Sequence, residues 1–361
     1  MHMAIHESRA QPATYSEIRT QPHAWQQALE VVDEHSRALL DLWSRGDYDQ
    51  VVFTGCGSTH YLSLAAAALF QELTGTPARG IPAGELVMYP ESAYPAAGRT
   101  LLVAISRSAE TTETVRAARA FRDERDGEVI VVTNYGDRPL AQAGSIALAI
   151  PAGQEESIAQ TGSFACMYVA TTALAATLAG REDLVQAMAR LPSVGARLIR
   201  EYEPLAQSLG SDLSRDRFYF LGSGPRYGLA CEASLKMKEM SLTHSEPFHF
   251  LEFRHGPKSM VSPSTVVAGL LSESNRAYES TILAEMHALG ATVLSLGEEA
   301  TPGEWPADVP VASGLPEAVR NVLYLPVLQF IAYYRAIAKG LDPDRPHNLD
   351  AVVRLQGETG S

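Results

Sequence analysis

The chain has 361 residues, enough for two ordinary domains, and 46% hydrophobic against 20% charged residues describe a globular chain able to bury real cores. A net charge of −13 without any cluster of Lys and Arg excludes nucleic acid as the expected partner, because that affinity comes from concentrated positive charge. Three scattered cysteines, Cys56, Cys166 and Cys231, make no disulfide framework and fit a reducing cytoplasmic setting, and the first residues lack a secretion signal.

Residues 1–24 read as a polar N-terminal extension with two prolines, and the apolar spacing Trp25, Leu29, Val32, Leu39, Leu40, Trp43 predicts an amphipathic helix. A first domain over 25–205 then predicts strands at 51–54, near 86–88, and at 101–105, 129–133 and 146–150. Its helices fall at 59–73, 110–122, 161–178 and 183–209, the last interrupted by Pro192 and Pro204. The stretch 161–180 carries no charge over a length that could cross a membrane. Its alanines, threonines and glycines favour a buried helix instead, so no membrane partner is expected.

A second domain over 206–340 repeats the plan, with strands at 218–221, 266–271 and 292–296 and helices at 227–242, 276–289 and 317–339. A polar, proline-rich tail over 341–361 reads as loop. The strands are apolar on both faces, as parallel strands covered by helices on each side must be, so the fold class is α/β.

Two kinds of loop recur. Val-Val-Phe-Thr-Gly-Cys-Gly-Ser-Thr-His over 51–60 and Phe-Tyr-Phe-Leu-Gly-Ser-Gly-Pro over 218–225 both run from a strand through Gly-x-Gly into a helix. Ser106-Arg107-Ser108 and Ser272-Glu273-Ser274 both end an apolar strand, so the chain reads as a tandem repeat. In parallel α/β sheets ligands sit beyond the carboxyl ends of the strands, against helix N-termini. Gly55 and Gly57 with Ser58 and Thr59, facing the hydroxyl-rich loop 106–112, suit a phosphate monoester. A nucleotide fingerprint is not met, because a third glycine near Tyr61 is missing. Either loop by itself could be no more than a capped helix start.

Glu232, Lys236 and Glu239 share one helix face at i, i+4 and i+7. They could be a solvated ion-pair ladder or a charged face turned into an inter-domain cleft. His244, His249 and His255 with Glu246 and Glu252 lack zinc spacing, and no metal or other cofactor is expected. Cys56 lies in the first loop without a visible activating base, so a small buried side chain is its expected role.

Ile-Ser-Arg-Ser-Ala-Glu-Thr-Thr-Glu-Thr over 105–114, Glu-Ala-Ser-Leu-Lys-Met-Lys-Glu-Met over 232–240 and Glu-Phe-Arg-His-Gly-Pro-Lys over 252–258 together resemble the sugar isomerase (SIS) family. The likeness is to the isomerase half of glucosamine-fructose-6-phosphate aminotransferase and to short aminosugar-phosphate deaminases and isomerases. It implies two tandem flavodoxin-like three-layer domains, usually a homodimer, and a hexose or hexosamine 6-phosphate as substrate. By that resemblance Gly57, Ser58, Thr59, Ser106, Arg107, Ser108 and Thr111 hold the phosphate, and Ile158 lies on the opposite wall. Glu239 moves a proton between C1 and C2, His255 opens the ring from a neighbouring subunit, and Glu232 and Lys236 position the open chain.

Two departures stand out from the aminotransferase pattern. No glutaminase-sized segment precedes Trp25, and Ala351 aligns where a sugar-binding lysine is expected. Both point away from glutamine-dependent synthesis and toward an aminosugar 6-phosphate deaminase or isomerase. A fructosamine-6-phosphate deglycase and a non-catalytic phosphosugar sensor are the alternatives.

Overall fold

The structure, a computed structural model, describes residues 11–95, 97–300, 305 and 307–354. Residues 1–10 of the expected extension and the end of the tail lie outside them. Five strands, β1 (Gln50–Gly55), β2 (Ala78–Pro82), β3 (Thr100–Ser106), β4 (Val129–Thr133) and β5 (Ile146–Ala149), form one parallel sheet in the order β2-β1-β3-β4-β5. Five more, β6 (Arg217–Leu221), β7 (His244–Phe248), β8 (Thr265–Leu270), β9 (Thr292–Gly297) and β10 (Ala307–Pro310), form a second parallel sheet in the order β7-β6-β8-β9-β10. Helices flank each sheet. In both sheets the strand that comes first in the chain lies between the second and the third, so the helices that follow β1 and β6 start at a topological switch point.

The central strands are apolar because both of their faces are covered. Val51, Val52 and Phe53 of β1 and Leu101 to Ile105 of β3 are fully buried, as are Val129 to Val132 of β4. One core joins the halves, running from Trp25 and Phe53 to Phe218, Phe220 and Leu328. The uncharged stretch forms the Gly162–Leu178 helix, buried nearly all round and packed against the Ala13–Gly46 and Ser58–Thr74 helices. No helix among the described residues is long and apolar enough to cross a membrane.

Several expected elements need correction. The N-terminal helix begins at Ala13, not near Trp25, and carries Pro22 within it. Its polar start is stabilised from far along the chain: Asp344 accepts hydrogen bonds from Ala13 N and Thr14 N at 2.8 Å each and from Thr14 Oγ1 at 2.6 Å. The short strand expected near 86–88 is instead the Ala83–Met88 helix, and the strand lies just before it at β2. Strands β7 and β10 have no counterpart in the sequence reading. The expected helix over 317–339 is divided into Glu317–Arg320, a 3₁₀ turn at Asn321–Tyr324, and Leu325–Ala338 with Pro326 in its first turn.

The Ser58–Thr74 helix of the first half packs directly on the Pro225–Ser241 helix of the second. Gly228 makes that approach possible, because a Cβ there would stand 2.4 Å from the Tyr61 carbonyl oxygen and 2.7 Å from Ala65 N. These are backbone atoms and cannot step aside. Gly228→Ala would gain about 1 kcal/mol of helix propensity. The clash outweighs it, and a net loss of about 1–3 kcal/mol is expected, with Gly228→Val worse. Denaturant unfolding of the three proteins measures this, and a stabilised Gly228→Ala would show that the helices are not in contact there.

Candidate functional site

The first Gly-x-Gly turn joins β1 to the Ser58–Thr74 helix. Gly57 has φ +56 and ψ −124, a conformation that side-chain-bearing residues rarely adopt, while a Cβ there would meet nothing. The backbone, not packing, therefore demands glycine. Thr59 Oγ1 locks the turn by accepting from Cys56 N and donating to the Cys56 carbonyl, both at 2.9 Å. Thr59 is thus structural rather than a free donor. Burial pushes the Cys56 thiol up from its ordinary value, which fits a packing residue and not a nucleophile.

Ser58 and Thr111 begin or precede helices whose starts border a shared cavity of about 210 Å³. Thr111 makes no capping bond, so its hydroxyl is available there. Lys236 and Glu239 enter from the Pro225–Ser241 helix, and Ile158 closes another side. The structure therefore brings Gly57, Ser58, Arg107, Thr111, Ile158, Lys236 and Glu239 together from both halves. Sequence reasoning missed Gln160 and Glu113, which also line the cavity. The Gln160 Oε1 is buried without a hydrogen-bond partner. Only its position just before the uncharged helix could have flagged it.

Lys236 is the hub. Its Nζ donates to Ser58 Oγ at 3.1 Å, pairs tightly with Glu239, and stands 3.4 Å from Glu232. Glu239 keeps partial exposure toward the cavity, whereas Lys236 and Glu232 have almost none. Burial drives the Glu232 carboxyl up to about 8, overcoming the opposing pull of Lys236, with Glu239 adding to the rise. Neither of its oxygens meets hydrogen-bond geometry with a neighbour, as suits a neutral acid better than a buried carboxylate. For Lys236, burial lowers the pKa, but Glu232 and Glu239 outweigh it, and the lysine stays charged. Burial thus biases Glu232 toward its neutral form beside a charged Lys236.

Other expected site residues fall elsewhere. Ser106 is buried beneath its loop, where its Oγ accepts from Ala109 N at 3.1 Å. Ser108 accepts from Glu110 N and lines a neighbouring cleft of about 150 Å³. Ala109, between them and the helix, has φ +53, a strained value for a non-glycine residue. The Arg107 guanidinium is spent on main-chain carbonyls, donating to Ser157 at 3.1 Å, Ile158 at 2.9 Å and Ala351 at 3.0 Å. His255 is exposed, just before Gly256, and does not line the cavity. His249, of the same segment, stacks on Tyr227 with ring centres 3.8 Å apart.

Residues 47–177 match the family model described as "SIS domain". The chain is 26% identical over 360 residues, 98% of its length, to a glutamine-fructose-6-phosphate aminotransferase [isomerizing] of Methanothermobacter thermautotrophicus and covers 58% of that protein. It therefore spans little more than half the length of such relatives. Glucosamine-6-phosphate deaminase from Thermotoga maritima superposes with a TM-score of 0.74 at 28% identity, over 95% of this chain and 100% of that one. Tagatose-6-phosphate ketose/aldose isomerase from Escherichia coli shares the fold, with a TM-score of 0.83 at 23% identity over 95% of this chain and 97% of that one.

The raised Glu232 pKa has a stability consequence of fixed sign. A carboxyl that holds its proton more tightly when folded stabilises the fold fully below its unfolded value, near 4.5, and this contribution is lost as pH rises through about 8. Denaturation midpoints should therefore fall between pH 5 and pH 8 and level off above. Glu232→Gln, which mimics the neutral acid, should flatten that slope; an unchanged slope would mean that Glu232 is ionised in the folded protein.

Proposed function

We propose that this SIS-domain chain is a phosphosugar enzyme that converts a hexosamine 6-phosphate to a ketose 6-phosphate with release of ammonia. The observation that supports this most is the single cavity in which a helix start, the Lys236 ammonium and the Glu239 carboxylate converge. The phosphate binds at the start of the Ser58–Thr74 helix, beside Ser58 and Thr111. Once the ring is open, Glu239 takes the proton from C2 and returns it to C1 while O1 gains a proton and the amine loses one, leaving a hydroxymethyl C1 and an imine at C2. Water adds to that imine and ammonia departs, giving the ketone. Lys236 supplies positive charge to the enediol-like oxygen, and neutral Glu232 leaves that charge uncancelled.

Deamination is favoured over simple isomerisation by the 28% identity to the deaminase, against 23% to the tagatose-6-phosphate isomerase. Among the described residues, no histidine lines the chain's own cavity. His255 of a second copy would complete it in a cytoplasmic homodimer.

The direct test is incubation with glucosamine 6-phosphate and galactosamine 6-phosphate, assaying ammonia and ketose. Ketose interconversion without ammonia would mean an isomerase, and binding without turnover a sensor. Glu239→Gln should lower kcat by about 10²–10⁴-fold with phosphosugar binding nearly intact; equal loss of both would remove Glu239 from proton transfer. Mixed with His255→Ala chains, the Glu239→Gln protein should regain part of its activity in hybrid dimers. No regain would leave each site self-contained.

A further inference from the structure

We infer that Arg107 is a positioning residue that latches the 349–354 segment across the cavity, and not a phosphate ligand. Its side chain is buried, and its Nη1 and Nη2 hold three carbonyls from two separate segments, Ser157 and Ile158 on one side and Ala351 on the other. The Glu155 carboxylate, 3.9 Å away, balances its charge. A phosphate drawn onto the Nη1 edge of this guanidinium would compete with the bonds to Ser157 and Ile158 that now shape the site wall.

The segment so held is itself part of the cavity. Leu349, Asp350, Ala351 and Val353 line it opposite Ser58 and Glu239. Arg107 and Ala351 also line the neighbouring cleft that contains Ser108, so the segment divides the two spaces. Upstream the chain is anchored by Asp344, whose carboxylate caps the Ala13–Gly46 helix and whose carbonyl accepts from Ile158 N at 2.9 Å. Between these anchors residues 347–350 are exposed. Release of the Arg107 end frees the segment to swing about Asp344, joins the cleft to the cavity and opens a route to the Ser108 hydroxyl. The consequence for turnover rests on the phosphosugar reading, whereas the latch itself does not.

Arg107→Lys keeps the charge, but one ammonium cannot bridge Ile158 and Ala351 as the guanidinium fork does. Chymotrypsin cleavage at Leu349–Asp350, followed by mass spectrometry, reads the latch without any substrate. Cleavage should be at least about tenfold faster in Arg107→Lys than in the unaltered chain. Equal cleavage rates overturn the inference. So does an unaltered chain that is cut as fast as a free 346–354 peptide, a test that holds even where Arg107→Lys does not fold. With glucosamine 6-phosphate, Arg107→Lys and a chain ending at Asn348 should raise KM to a similar degree, and combining them should add nothing. Losses that multiply would place Arg107 on the phosphate.

Discussion

The contact between the Ser58–Thr74 and Pro225–Ser241 helices governs how the site is built. Each helix begins at the carboxyl edge of its own sheet, and they meet at Gly228 with backbone against backbone. Only at that separation can Lys236, near the end of one helix, place its ammonium on Ser58, at the start of the other. The helix-start hydroxyls and the Lys236–Glu239 pair therefore come from different halves of the chain, and neither half contains the cavity by itself. The shared core that runs across both sheets serves this contact, because a hinge between the halves would pull Lys236 from Ser58.

Burial then sets the chemistry of the charged row. Three ionised groups on one nearly dry helix face would cost several kcal/mol of desolvation per ion. Burial lowers that cost by biasing Glu232 toward its neutral form, while Lys236 stays charged. The same burial makes a solvated ion-pair ladder, one of the two readings open from spacing, inconsistent with the fold.

What could be read from sequence was what depends on local pattern. The apolar runs of β1, β3, β4, β6, β8 and β9 announced themselves because both faces of each are covered. The face shared by Glu232, Lys236 and Glu239 follows from helical spacing. Three edge strands, β2, β7 and β10, were illegible for the converse reason: β2 is half exposed, and β7 reads His-Ser-Glu-Pro-Phe, with Pro247 tolerated because that strand has a neighbour on one side only. The helix start at Ala13 was hidden because its cap, Asp344, lies at the opposite end of the chain. The Arg107 bonds to Ile158 and Ala351 were hidden on the same ground, since no local pattern reveals partners so far along the chain.

The two halves present matching loops, yet they differ in what remains free. In the first, Ser58 and Thr111 offer hydroxyls to the cavity. In the second, the strand-end loop is already filled from within: Glu279 accepts from Ser272 N at 2.6 Å and from Ser272 Oγ at 2.9 Å. Burial raises the pKa of that carboxyl, and the Ser272 bonds pull it down. An internal carboxylate thus sits where an external anion would have to bind. Close by, Arg226 pairs with Glu317 at 2.7 Å, so the one cation at the start of the Pro225–Ser241 helix is also engaged. Like loops need not give like sites: the second half's donors are satisfied by its own acids, which leaves it to supply Lys236 and Glu239 to the first.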